Sequence, residues 1–92
     1  MLSAIPVNLE KTDQKDLEKE ILRLGMIAEL DAVNLYEQMA ALTKNEKTRK
    51  MLLDIAKEEK THVGEFEALL LQEDSEQEKE LQEGRKEVEE MN

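Results

Sequence analysis

Four residues, Thr43-Lys44-Asn45-Glu46, interrupt two long stretches whose apolar residues recur at helical spacing. A connection this short forces two helices to fold back on each other as an antiparallel hairpin. Upstream, Thr12 or Asp13 can cap a helix that runs to about Leu42, roughly 45 Å at 1.5 Å per residue. Downstream, a second helix runs from about Glu46 to Leu71. Thr43 followed by Glu46 matches a capping box for it, with Asn45 as the alternative cap. Gln72-Glu73-Asp74-Ser75 is the next break, where Ser75 and Glu78 form another capping box. The expected organisation is an irregular arm over 1–11, a hairpin over 12–72 and a charged C-terminal helix over 73–92. In the arm, Pro6 and Asn8 oppose a helix, while Leu2, Ile5, Val7 and Leu9 are apolar enough to dock on a neighbour. The last helix carries only a sparse stripe of Leu81, Val88 and Met91, and Gly84 weakens it.

Composition narrows the fold class to all-α. One Tyr, one Phe and no Trp leave the core to aliphatic side chains, and three Gly with one Pro allow few turns. At 92 residues the chain makes at most one thin domain. A formal charge of −10 disfavours a nucleic-acid partner and instead concentrates cations at the surface. With no cysteine there is no disulfide, thiolate metal site or nucleophilic thiol. The first residues lack a basic start and a continuous apolar run, so neither a signal peptide nor a membrane span is expected, and the default address is cytoplasmic.

Helix one carries two adjacent apolar seams. One is Leu17, Ile21, Leu24, Ala28, Leu35 and Leu42; the other is Leu22, Met26, Val33, Tyr36 and Ala40. Glu29 falls in the second seam, three residues after Met26 and four before Val33. On helix two, Glu59 precedes the only histidine, His62, by three residues, which places both on one face. Their neighbours there are Leu52, Ile55, Ala56, Val63, Phe66, Leu69 and Leu70. Charged or polar groups buried in such a stripe must be paired or bound to a metal. Glu29 lies about 14 residues before the turn and Glu59 about 14 after it, so the hairpin sets them side by side.

A two-helix hairpin cannot bury broad apolar faces alone, and a twofold dimer making a four-helix bundle is the simplest remedy. Di-iron sites in ferritin-like bundles take one Glu from each of two helices and a Glu-x-x-His from each of the other two. This chain holds half of that set, and a symmetry mate supplies the rest: four carboxylates and two imidazoles for two metal ions. Carboxylate and imidazole donors without thiolate suit iron, manganese or zinc.

At these residues the sequence resembles the encapsulated ferritins, half-length ferritin-like proteins, over about Leu17 to Leu71. The likeness rests on Ile27-Ala28-Glu29-Leu30-Asp31-Ala32-Val33-Asn34-Leu35-Tyr36-Glu37 and Glu58-Glu59-Lys60-Thr61-His62. In that family a Glu, a Tyr seven residues later and a Glu-x-x-His beginning 30 residues after the first Glu build the ferroxidase centre. Those positions are Glu29, Tyr36, Glu59 and His62. The resemblance implies an inter-subunit di-iron site, also open to zinc, manganese or calcium, in a ring of dimers, usually a decamer. It implies oxidation of Fe(II) to Fe(III), with the mineral stored inside an encapsulin shell, hence a cytoplasmic nanocompartment. Asp31 matches one of the family's acidic metal-admitting positions, whereas Ala28 stands where an acid often occurs. The sequence closes on Glu89-Glu90-Met91-Asn92 with no evident shell-targeting tail. Either such a tail is missing from it, or the chain is the N-terminal domain of a fusion to a shell protein.

Tyr36 either joins the centre or packs with its hydroxyl on a ligand carboxylate. The other function class is a non-catalytic acidic oligomerisation module, in which Glu and His merely hydrogen-bond across a dimer. A rubrerythrin-like peroxidase is disfavoured by the absence of a cysteine-rich part. Fe(II) oxidation under air separates the ferroxidase from the assembly module.

Overall fold

The computed structural model describes residues 13–91, apart from the side chain of Lys15. The arm expected over 1–11 and the alternative cap Thr12 lie outside the described residues. Three helices follow in order: α1 (Gln14–Leu42), α2 (Glu46–Glu73) and α3 (Ser75–Glu89). The fold class is all-α, and α1 and α2 form the antiparallel hairpin.

The helix boundaries have local causes. Asp13 occupies the N-cap of α1 without a side-chain hydrogen bond, and its carbonyl takes the Asp16 N–H at 2.9 Å. At the hairpin turn the capping box on Thr43 is not formed. Asn45 caps α2 instead, its Oδ1 accepting from the Thr48 N–H at 3.0 Å, while Thr43 Oγ1 accepts from the Asn45 N–H within the turn. The physical reason is geometric: Thr43 is still held to α1 through its N–H to the Met39 carbonyl, so only Asn45 stands next to the first free amides of α2.

Arg49 completes this turn. Its guanidinium donates to the carbonyls of Ala40 (3.2 Å) and Thr43 (2.9 Å) and pairs with Glu46 at 2.9 Å. The last carbonyls of a helix lack intrahelical partners, and a cation there also faces the negative end of the helix dipole. Arg49 thereby clamps the end of α1 to the start of α2.

The second capping box also fails. Only Asp74 is non-helical between α2 and α3, and it, not Ser75, caps α3 through the Gln77 N–H at 3.0 Å. Its other carboxylate oxygen accepts from Arg23 of α1 at 2.7 Å. The Gln77 N–H is the main cause holding the Asp74 carboxyl below its ordinary range; desolvation opposes it, and the Arg23 guanidinium adds to the lowering. One side chain thus ends α2, starts α3 and ties both to α1.

The core lies between α1 and α2. Leu22, Val33 and Ala40 of α1 and Leu52, Ala56 and Leu70 of α2 are its buried residues. These α1 residues all belong to the second seam. The first seam is only partly covered: Leu17, Leu24 and Leu35 are half-buried, Ile21, Ala28 and Leu42 are exposed, and Leu42 keeps 81% of its surface. Outside both seams, Ile27 and Leu30 of α1 and Met51, Leu53 and Leu69 of α2 are exposed as well. α3 has no buried residue, and Leu81 is the only member of its stripe that is partly covered.

Candidate metal centre

The antiparallel hairpin gives a simple register. Glu29 of α1 faces His62 of α2, and one turn away Gly25 of α1 faces Phe66 of α2. Glu59 reaches the same point from within α2, three residues and one turn before His62. The three side chains converge: each offers one donor atom, and these atoms lie within 4.8 Å of one another. His62 Nδ1 stands 3.3 Å from Glu29 Oε2 and 3.4 Å from Glu59 Oε2.

Those separations bear on the chemistry. A good N–H···O hydrogen bond is about 2.9–3.0 Å, and one N–H can serve one carboxylate well, not two. Two donors each about 2.1 Å from a shared ion and at the tetrahedral angle are roughly 3.4 Å apart. The spacing of Nδ1 from both oxygens lets the three groups share one ion, and equally lets His62 hydrogen-bond to Glu29. The donor set is two carboxylates and an imidazole with no thiolate, which fits iron, manganese or zinc.

The three groups are less enclosed than a buried stripe would make them. Glu29 and Glu59 keep about a fifth of their side-chain surface (20% and 19%), and His62 keeps 43%. They line the open side of the hairpin, where Glu29 and His62 share a cleft with Glu65, Phe66 and Leu69. Glu65 went unnoticed in the sequence, although its place three residues after His62 is the signal that could have found it. A further ion pair, Lys60 to Glu37 at 3.0 Å, joins the helices beyond the site.

The remaining candidates stand apart. Tyr36 is half-buried and makes no hydrogen bond to Glu29, Glu59 or His62. Asp31 is two residues from Glu29, about 200° around the helix, and does not join the cluster within one chain. Ala28 is exposed. Among the described residues no helix is long and apolar enough to cross a membrane.

A helical hairpin that sets one Glu against a Glu-x-x-His from the facing helix defines a ferritin-like protein. Comparison with known proteins agrees. The family model described as Rubrerythrin matches residues 20–91. A ferritin-like–encapsulin shell fusion protein of Pyrococcus furiosus is 57% identical over 93 residues, covering 99% of this chain and 27% of the relative. The chain thus spans about a quarter of that relative's length. The crystal structure of an encapsulated ferritin domain from Pyrococcus furiosus superposes with a TM-score of 0.85 at 55% identity, covering 100% of this chain and 96% of that one. The chain belongs to the rubrerythrin family, and within it to the encapsulated ferritins.

Proposed function

We propose that this chain is a ferroxidase whose substrate is Fe(II), and that two copies build each di-iron centre. The observation carrying this reading is the convergence of Glu29, Glu59 and His62, with Nδ1 3.3 and 3.4 Å from carboxylates of two different helices. Membership of the rubrerythrin family and the likeness to an encapsulated ferritin domain support it.

The two-copy arrangement follows from the half-set. One chain supplies three donors on an open cleft, with apolar residues exposed on both helices. A twofold mate would complete four carboxylates and two imidazoles and would cover that apolar surface. The four carboxylates then balance the charge of two divalent ions, and their mutual repulsion without metal weakens the empty assembly.

In this reading Glu29, Glu59 and His62 of each copy would hold the two iron ions. Oxygen-rich ligation favours Fe(III), the harder ion, so the donors stabilise the product of the oxidation. Two Fe(II) release two electrons, which with two protons from solvent reduce O₂ to hydrogen peroxide or hydrogen peroxide to water. Tyr36 would approach the centre only in the assembled dimer, and Asp31 would gather Fe(II) from outside. The net charge of −10 raises the cation concentration that feeds the site. Zinc, manganese or calcium would compete for the same donors.

The name of the fusion relative supports an encapsulin shell as partner. In the same reading dimers would assemble in a ring such as a decamer, with Fe(III) mineral held within the nanocompartment. Mixing Fe(II) with the protein in air tests the activity. The wild type should oxidise it catalytically, and Glu59→Ala and His62→Ala should fall to the rate of buffer, a loss of at least about 100-fold. Variants as fast as the wild type would remove these residues from the chemistry, and a wild type no faster than buffer would leave only an assembly module.

A further inference from the structure

Gly25 lies one turn before Glu29 on α1, and Phe66 lies one turn after His62 on α2. The Gly25–Phe66 and Glu29–His62 pairs are therefore successive rungs of one antiparallel ladder. A Cβ on Gly25 would stand 2.6 Å from Phe66 Cζ and nearer still to Cε1 and Cδ1. Carbon atoms pack at about 3.5–4.0 Å, so the ring already fills the volume that any side chain at position 25 would need. The other two glycines differ: a Cβ at Gly64 or Gly84 would meet nothing within 4 Å. Glycine weakens a helix interior relative to alanine, and at position 25 the compensation is visible as a seated aromatic ring. The same ring, with Leu69, lines the cleft shared by Glu29, His62 and Glu65.

We propose that Gly25 and Phe66 are a positioning pair for the metal centre. The ring seated beside the bare glycine sets the separation and register of α1 and α2 one turn from the ligands. That setting lets the Glu29 carboxylate from one helix meet the His62 imidazole from the other. A methyl group at position 25 forces the ring out toward the cleft or the helices apart, and either movement is passed to His62 and Glu29. The inference rests on the metal-centre reading above.

Co(II) is a suitable probe, because its visible bands report both occupancy and ligand geometry. The full chain is titrated while helix content and thermal unfolding are followed on the same samples. Gly25→Ala should keep its helices but bind Co(II) about tenfold more weakly, with altered bands, as when a group that orients ligands is lost. The double variant Gly25→Ala/Phe66→Leu, which restores room for the methyl, should return to within about threefold of the wild type. Gly84→Ala, the same change in open space, should bind as the wild type does.

A pair with only a structural role would lower the unfolding temperature and leave Co(II) affinity and bands unchanged, which would overturn the proposal. Should Gly25→Ala not fold, Phe66→Leu alone decides. Weaker binding with changed bands supports the pair, and wild-type binding overturns it. A wild-type chain that binds no Co(II) would instead defeat the metal-centre reading itself, a result distinguishable from all of these.

Discussion

The hairpin and α3 are both regular helices, yet they are held by different forces. Between α1 and α2, Leu22, Val33, Ala40, Leu52, Ala56 and Leu70 exclude water, and the candidate metal donors hang from that packed interface. α3 buries nothing and is anchored at its start by Asp74, through Gln77 and Arg23. Helicity alone therefore does not mark the functional part. Apolar packing fixes relative positions to within a side chain's width, and donors from two helices can share an ion only where such packing fixes them.

The sharpest contrast lies in the stability of the two parts. Leu52→Ala empties part of the hairpin core and should cost about 2–4 kcal/mol, whereas Val88→Ala, on an exposed α3 position, should stay within about 0.5 kcal/mol. Denaturant unfolding of both variants checks this. Equal costs would mean that α3 is packed as firmly as the hairpin.

Arg49→Ala should have an intermediate effect. It removes two hydrogen bonds to the end of α1 and a partly exposed ion pair, and should cost about 1–2 kcal/mol. Exchange at the hairpin turn should rise in the same variant, while the centre of the hairpin stays protected.

The smallest effect concerns the foot of α3. Because the folded-state pKa of Asp74 is depressed, its contribution is complete above the ordinary carboxylate value and is lost as pH falls through the folded one. The Gln77 amide resonance should therefore titrate with a midpoint below 3.8, and Asp74→Asn should abolish that titration. A midpoint at or above 3.8 would mean that the carboxylate is not held by Gln77 and Arg23.

Much of this was readable from residue spacing. The two apolar stripes, the short turn and the opposition of Glu29 to Glu59 and His62 follow from a period of 3.6 and a count of residues from the turn. The caps were harder to place. Thr43, Asn45, Asp74 and Ser75 are all good capping residues, and the choice depended on where the preceding helix let go. Arg49 and the Gly25–Phe66 pair left no local signature. A guanidinium reaching back over a turn and a ring filling a missing side chain are relations between helices, which no single-helix pattern encodes. The openness of the site was also hidden, because periodicity shows which face is apolar but not which of two apolar faces the chain covers by itself.

The proposed centre is shared between two copies of the chain. Its most direct test is the amount of metal bound per chain, determined together with the mass of the assembly, with and without Fe(II). The expected result is one ion per chain, two per dimer, in assemblies of an even number of chains that are firmer with metal than without. A lone chain binding the ion with full affinity, or a stable dimer that binds none, would contradict it.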